Sequence, residues 1–143
     1  MKTKILILIS GLFMLMSCHK KKMEQSSASA NTADKKLIIA EAPAAESSPV
    51  TIDSMRVLGK TLILNVSYSG GCEKHEFDLY FNGMYAKSLP VQANLHLFHN
   101  NNGDACRKLE MKELRFDISE MKPPGGNSII LKLAGQQTTY TLK

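Results

Sequence analysis

Between Thr61 and Gly83 the chain reads TLILNVSYSGGCEKHEFDLYFNG, and the spacing of its apolar residues decides the fold. Leu62, Leu64, Val66 and Tyr68 alternate with Ile63, Asn65 and Ser67; after Gly70-Gly71, His75, Phe77, Leu79 and Phe81 alternate with Glu76, Asp78 and Tyr80. A period of two sends successive side chains to opposite faces of a pleated strand, so each run predicts a strand buried on one face. A helix would instead repeat its apolar residues three and four apart.

The same period recurs on both sides. Thr51 to Leu58 forms a preceding strand, and the pattern returns at Val91, Ala93, Leu95 and Leu97, at Leu114, Phe116 and Ile118, at Ile129, Leu131 and Leu133, and at Thr138, Tyr140 and Leu142. Turn-forming residues punctuate these runs at Gly70-Gly71, Asn82-Gly83, Asn100 to Gly103, Pro123 to Gly126 and Gly135-Gln136. After Val50 only Cys106 to Leu114 has room for a helical turn or two. The expectation is an all-β domain over residues 49–143, an antiparallel β-sandwich of about seven strands with immunoglobulin-like or jelly-roll-like topology.

Charge bounds the partners. The 143 residues carry 18 Lys and Arg against 13 Asp and Glu. Five of those lysines, Lys2, Lys4 and Lys20 to Lys22, lie near the start, and from Val50 onward 11 basic residues face 9 acidic ones. A domain so nearly balanced lacks the basic face that nucleic acid needs.

Residues 1–17 read as a signal peptide. Lys2 and Lys4 precede a mostly apolar run from Ile5 to Met16. That run has signal-peptide length and falls short of the roughly 20 residues of a spanning helix. Leu15-Met16-Ser17-Cys18 resembles the lipobox of bacterial lipoproteins, with an aliphatic residue three before the cysteine and a small one directly before it. The resemblance implies that the Cys18 thiol takes a diacylglycerol, that cleavage follows Ser17, and that the new amine is acylated, palmitate being a typical chain. Two or three chains, at about 0.8 kcal/mol per buried methylene, hold a protein at a bilayer. No other cofactor is expected. In enteric bacteria an aspartate after the lipidated cysteine retains a lipoprotein in the inner membrane; His19 stands there. The resemblance therefore implies an outer-membrane protein facing the periplasm.

Residues 18–48 are rich in Ser, Ala, Lys and Glu, lack aromatics, and hold one apolar cluster, Leu37-Ile38-Ile39. Such a composition offsets little ordering entropy, so a lipidated flexible tether is expected. A brief helix over Ala33 to Ala45, limited by Pro43, is the alternative.

If the strands run up and down, the loops after Tyr68 and Phe98 open at one end, where Cys72 and His75 face His99, Asp104 and Cys106. In an exported protein, cysteines on neighbouring loops favour a Cys72–Cys106 disulfide. The competing reading is a metal site, since Cys72, His75, His99 and Cys106 form a set that zinc accepts; oxidation of the thiols and the core phase of His75 weigh against it. Asn100 to Asp104 offers oxygens to calcium but lacks the spacing of a calcium hand loop, and a turn capped by Asp104 is favoured.

No Gly-x-Ser-x-Gly elbow, phosphate loop or dinucleotide fingerprint occurs, and no catalytic residue is assigned, so an enzyme is not expected. The stretch from Leu62 to Ile118, with Gly70-Gly71-Cys72, His75 and Asn102-Gly103-Asp104-Ala105-Cys106, looks similar to small lipoproteins of the Bacteroidetes type, for which no activity is established. The function expected is an envelope interaction or structural module whose partners are the bilayer, through Cys18, and an envelope protein or glycan. The alternative is a ligand or metal binder at His75, His99 and Asp104.

Overall fold

Alternation in the sequence becomes alternation in burial. In the computed structural model, which describes residues 34–142, Leu62, Leu64 and Val66 point inward from one strand, and Phe77, Leu79 and Phe81 meet them from the next. Nine strands follow in chain order: β1 (Lys35–Lys36), β2 (Ile38–Ile39), β3 (Thr51–Leu58), β4 (Thr61–Gly70), β5 (Glu76–Ala86), β6 (Val91–Asn100), β7 (Lys108–Asp117), β8 (Ser128–Leu133) and β9 (Gln136–Thr141). They form two sheets, ordered β1-β7-β4-β3 and β2-β5-β6-β8-β9. Leu114, Phe116, Leu95, Leu97, Ile129, Leu131 and Tyr140 fill the core from both sheets. The all-β sandwich expected from the sequence is what forms.

Four details differ from expectation. Each sheet is mixed: β3–β4, β4–β7, β5–β6 and β8–β9 pair antiparallel, but β6–β8, β1–β7 and β2–β5 pair parallel. The chain leaves β6 for the other sheet, runs β7 beside β4, and returns to lie alongside β6 in the same direction. Immunoglobulin-like and jelly-roll sandwiches are antiparallel, so neither topology describes the pairing.

Second, Cys106 to Leu114 forms no helical turn; Lys108 onward pairs with β4 over the full length of β7. Third, Asn82-Gly83 is not a hairpin turn. It lies within β5, where the register shifts between Phe81 and Tyr85, Gly83 takes φ +79° and the Met84 N–H donates to Asn82 Oδ1 at 3.1 Å. Three residues of β5 between Phe81 and Tyr85 thus face the single Asn94 between Leu95 and Ala93, and such an excess, here of two residues, accommodated in one strand is a bulge.

Fourth, the flexible tether expected over 18–48 stops short of Ser48. Asp34 binds Arg115 at 2.8 Å and accepts a hydrogen bond from Thr61, β1 and β2 add to opposite sheets, and Leu37 between them is buried in the core. One chain segment passing from sheet to sheet stitches the sandwich, and Leu37 supplies the apolar burial that favours the order. The alternative helix over Ala33 to Ala45 does not form, because that segment finds strand partners. The signal peptide, Cys18 and residues 19–33 lie outside the described residues.

Ile63 departs from simple alternation. It points to the outer face, yet is 1% exposed. Arg56 and Arg115 flank it in register and both pair with Glu113; arginine stems can cover apolar surface while their heads stay wet.

Candidate functional site

The β4–β5 loop and the β6–β7 loop both cross between the sheets at one end, which brings Cys72 beside Cys106. The two are disulfide-bonded, with Cα atoms 5.9 Å apart, within the range a bridge requires. Asp104 holds the same two loops by hydrogen bonds. Its Oδ2 accepts from the N–H groups of Cys72 and Glu73, both at 3.0 Å, and its Oδ1 accepts from the Cys106 N–H at 2.7 Å. The Glu73 amide first, then those of Cys106 and Cys72 and the His75 side chain, hold this carboxyl well below the usual carboxylate range.

The asparagines before Asp104 spend their oxygens on the turn. Asn100 Oδ1 accepts from the Asn102 N–H at 3.0 Å, and Asn101 Oδ1 accepts from the Gly103 N–H at 3.2 Å. Asn102 and Gly103 both take positive φ, 51° and 77°. This is the turn chemistry expected of asparagine and glycine, and it engages the side-chain oxygens that a calcium ion would need.

Below the disulfide, three side chains form a buried line. Asp104 Oδ2 lies 3.1 Å from His75 Nε2, His75 Nδ1 lies 2.7 Å from His99 Nε2, and His99 Nδ1 lies 3.2 Å from the carbonyl oxygens of both Ser48 and Pro49. His75 is 5% exposed and His99 1%. Aromatic rings enclose them: Phe77 stacks on His99 with centroids 4.4 Å apart, and Tyr68 lies 4.6 Å from His75. Burial is the largest influence on His99 and pushes it toward the neutral form, against the two carbonyls that favour its proton.

Cys72, His75, His99, Asp104 and Cys106 thus meet at one end of the sandwich, whereas Cys18 lies outside the described residues. The zinc-type set does not present itself to an ion, since both sulfurs are bonded to each other and all four imidazole nitrogens face protein groups. Sequence reasoning missed the arm Ser47–Pro49. Besides the two carbonyls, Ser47 Oγ accepts from the His99 N–H at 3.0 Å and the Ser48 N–H donates to the His99 carbonyl at 2.8 Å. It also missed Gly70, read only as a turn signal. A Cβ there would stand 2.5 Å from His75 Nε2, so the strand needs glycine for the histidine to pass.

No protein-family model matches the chain, and no curated protein matches it. Among solved structures, it is similar to a NigD-like immunity protein from Bacteroides caccae, with 17% identity and a TM-score of 0.53 over 76% of this chain and 58% of that one. It is also similar to a protein from Parabacteroides distasonis described as toxin-related, with 19% identity and a TM-score of 0.50 over 76% of this chain and 60% of that one. The chain therefore spans about three-fifths of the length of these structures. At such identities the likeness establishes a shared sandwich fold, and it lies among proteins of Bacteroides and Parabacteroides.

Proposed function

We propose that the chain is an envelope lipoprotein, anchored through Cys18 in the outer membrane and facing the periplasm, whose β-sandwich binds an extended segment of an envelope protein. In this reading it is neither an enzyme nor a cofactor carrier. The observation that carries the binding role is the edge of β7. Among the described residues β1 pairs with β7 only at Phe116 and Asp117, which leaves Lys108 to Arg115 open along that edge. Leu109 and Met111, 69% and 76% exposed, stand on its outer face. An open strand edge offers a row of backbone donors and acceptors, and the flanking apolar side chains give an added strand something to bury. The likeness to an immunity protein supports a binding role in preference to a catalytic one.

Three measurements test the parts separately. Cys18→Ala should abolish labelling by radioactive palmitate, leave the precursor uncleaved by the lipoprotein peptidase and move any processed protein out of the detergent phase; unchanged labelling, or processed protein that partitions as before, overturns the anchor. A photo-crosslinking residue at Met111 in living cells should give one discrete adduct, absent when the probe replaces Gln137 on β9. Equal adducts from both positions, or none, overturn the edge as a docking site. Whole-cell protease treatment that removes the domain overturns the periplasmic placement.

A further inference from the structure

The Asp104–His75–His99 line has an acceptor at both ends. Asp104 is a carboxylate already receiving three backbone N–H groups, and the Ser48 and Pro49 carbonyls cannot donate. Between these ends lie three gaps, carboxylate to His75, His75 to His99, and His99 to the carbonyls, and each hydrogen bond needs one proton. Two neutral imidazoles carry only two. We infer that the folded protein retains a third proton in this line, making the His75–His99 pair a one-proton clasp that locks the Ser47–Pro49 arm onto β6 and opens when that proton is lost.

The proton belongs chiefly to His75. With both nitrogens protonated, His75 donates to Asp104 and to His99 Nε2, and neutral His99 donates through Nδ1 to the arm. The ionised Asp104 directly beside His75 balances the imidazolium. Other groups around the pair are Tyr68, whose ring lies against both imidazoles and whose hydroxyl burial keeps neutral, and Lys112, whose ammonium lies 5.4 Å from the centre of the Phe77 ring and disfavours charge on His99. Glu110 acts on Tyr68, and Glu73 meets Asp104 through its backbone. None of these replaces the missing donor.

Loss of the proton leaves two lone pairs facing across one gap. Asp104 is fixed by three amides and the disulfide loops, whereas Ser48 is half-buried and Pro49 exposed, so their carbonyls can turn to water. The gap that opens is therefore the one at the arm. Gain of a fourth proton breaks the line as well, because His99 Nε2 must stay bare to accept from His75.

Linkage gives the sign. With the line intact the folded pair holds one proton beyond two neutral imidazoles; the unfolded pair holds two below the ordinary histidine pKa of about 6.5 and none above it. The pair's contribution to stability thus peaks near pH 6.5. Above it the contribution falls with a slope approaching tenfold in the folding constant per pH unit, until the folded pair releases its proton.

The test uses the full chain in detergent micelles. Nitrogen-15 NMR at pH 6.5 should find three N–H protons on the four nitrogens of His75 and His99, both nitrogens of His75 being protonated; two protons on the pair overturn the inference. The Ser48 amide should lose exchange protection between pH 6.5 and 9 beyond the intrinsic base-catalysed rise, and unchanged protection overturns it too. In His99→Gln the amide can accept from His75 and donate to the carbonyls. That variant should keep the alkaline fall in the folding constant and lose the part of the acid fall due to His99. A wild-type folding constant that does not decline above pH 6.5 refutes the clasp even if the variant fails to fold.

Discussion

Replacing Gly70 by alanine separates a generic strand from one built around a buried histidine. Gly70 ends β4 without the positive φ that would exclude a side chain, so backbone entropy alone predicts that Gly70→Ala stabilises by about 0.4 to 1 kcal/mol. The structure reverses the sign. The new Cβ would lie 2.5 Å from His75 Nε2, 2.6 Å from His75 Cε1 and 3.1 Å from Asp104 Oδ2. The ring cannot swing aside, because both nitrogens are hydrogen-bonded and Tyr68 and His99 pack against it. Overpacking costs about 1 to 3 kcal/mol, and breaking the His75–Asp104 bond leaves a buried polar group at about 1 to 3 kcal/mol more. Set against the entropic gain, the expected net loss is about 1 to 5.6 kcal/mol, read as a lower urea midpoint at unchanged m. A Gly70→Ala variant as stable as the parent, or more so, refutes the close approach and the buried line built on it.

The bridge closes a loop with a sequence separation of 34, so Cys72→Ser or Cys106→Ser should lower stability by about 3.8 kcal/mol in the chain-entropy model, and the double variant should cost little more. Additive losses in urea melts would contradict a single bridge. Leu37→Ala should cost about 2 to 5 kcal/mol, because the side chain lies in the core; a neutral result by thermal melting would return this segment to a tether. Since the Asp104 carboxyl is held well below its ordinary value, its stabilisation is complete above about pH 4 and is lost as pH falls through the lowered value. An acid titration of wild type and Asp104→Ala should therefore converge at low pH, and a constant gap between them would contradict the ionised clamp.

Local periodicity determined most of what the sequence reveals about the domain. Seven strands announce themselves by alternation, since burying one face of a pleated ribbon leaves a period-two record in composition. The pairing of Cys72 with Cys106, and the gathering of His75, His99 and Asp104, followed from placing two loops at the same end. Leu37-Ile38-Ile39 was too short to register as strands, because its value lies in pairing with β5 and β7 and not in its own period. Strand direction was equally hidden: the parallel β6–β8 pair depends on where the chain returns after β7, a choice made by core burial among residues far apart in sequence. So was the role of Gly70, which reads as a turn signal until the histidine directly before the next strand is laid against it. Tertiary structure alone decided that the two histidines point at each other between acceptors, because hydrogen bonds between remote groups leave no mark in sequence spacing. Their proton exists only where folding has removed the water that would otherwise satisfy each nitrogen separately.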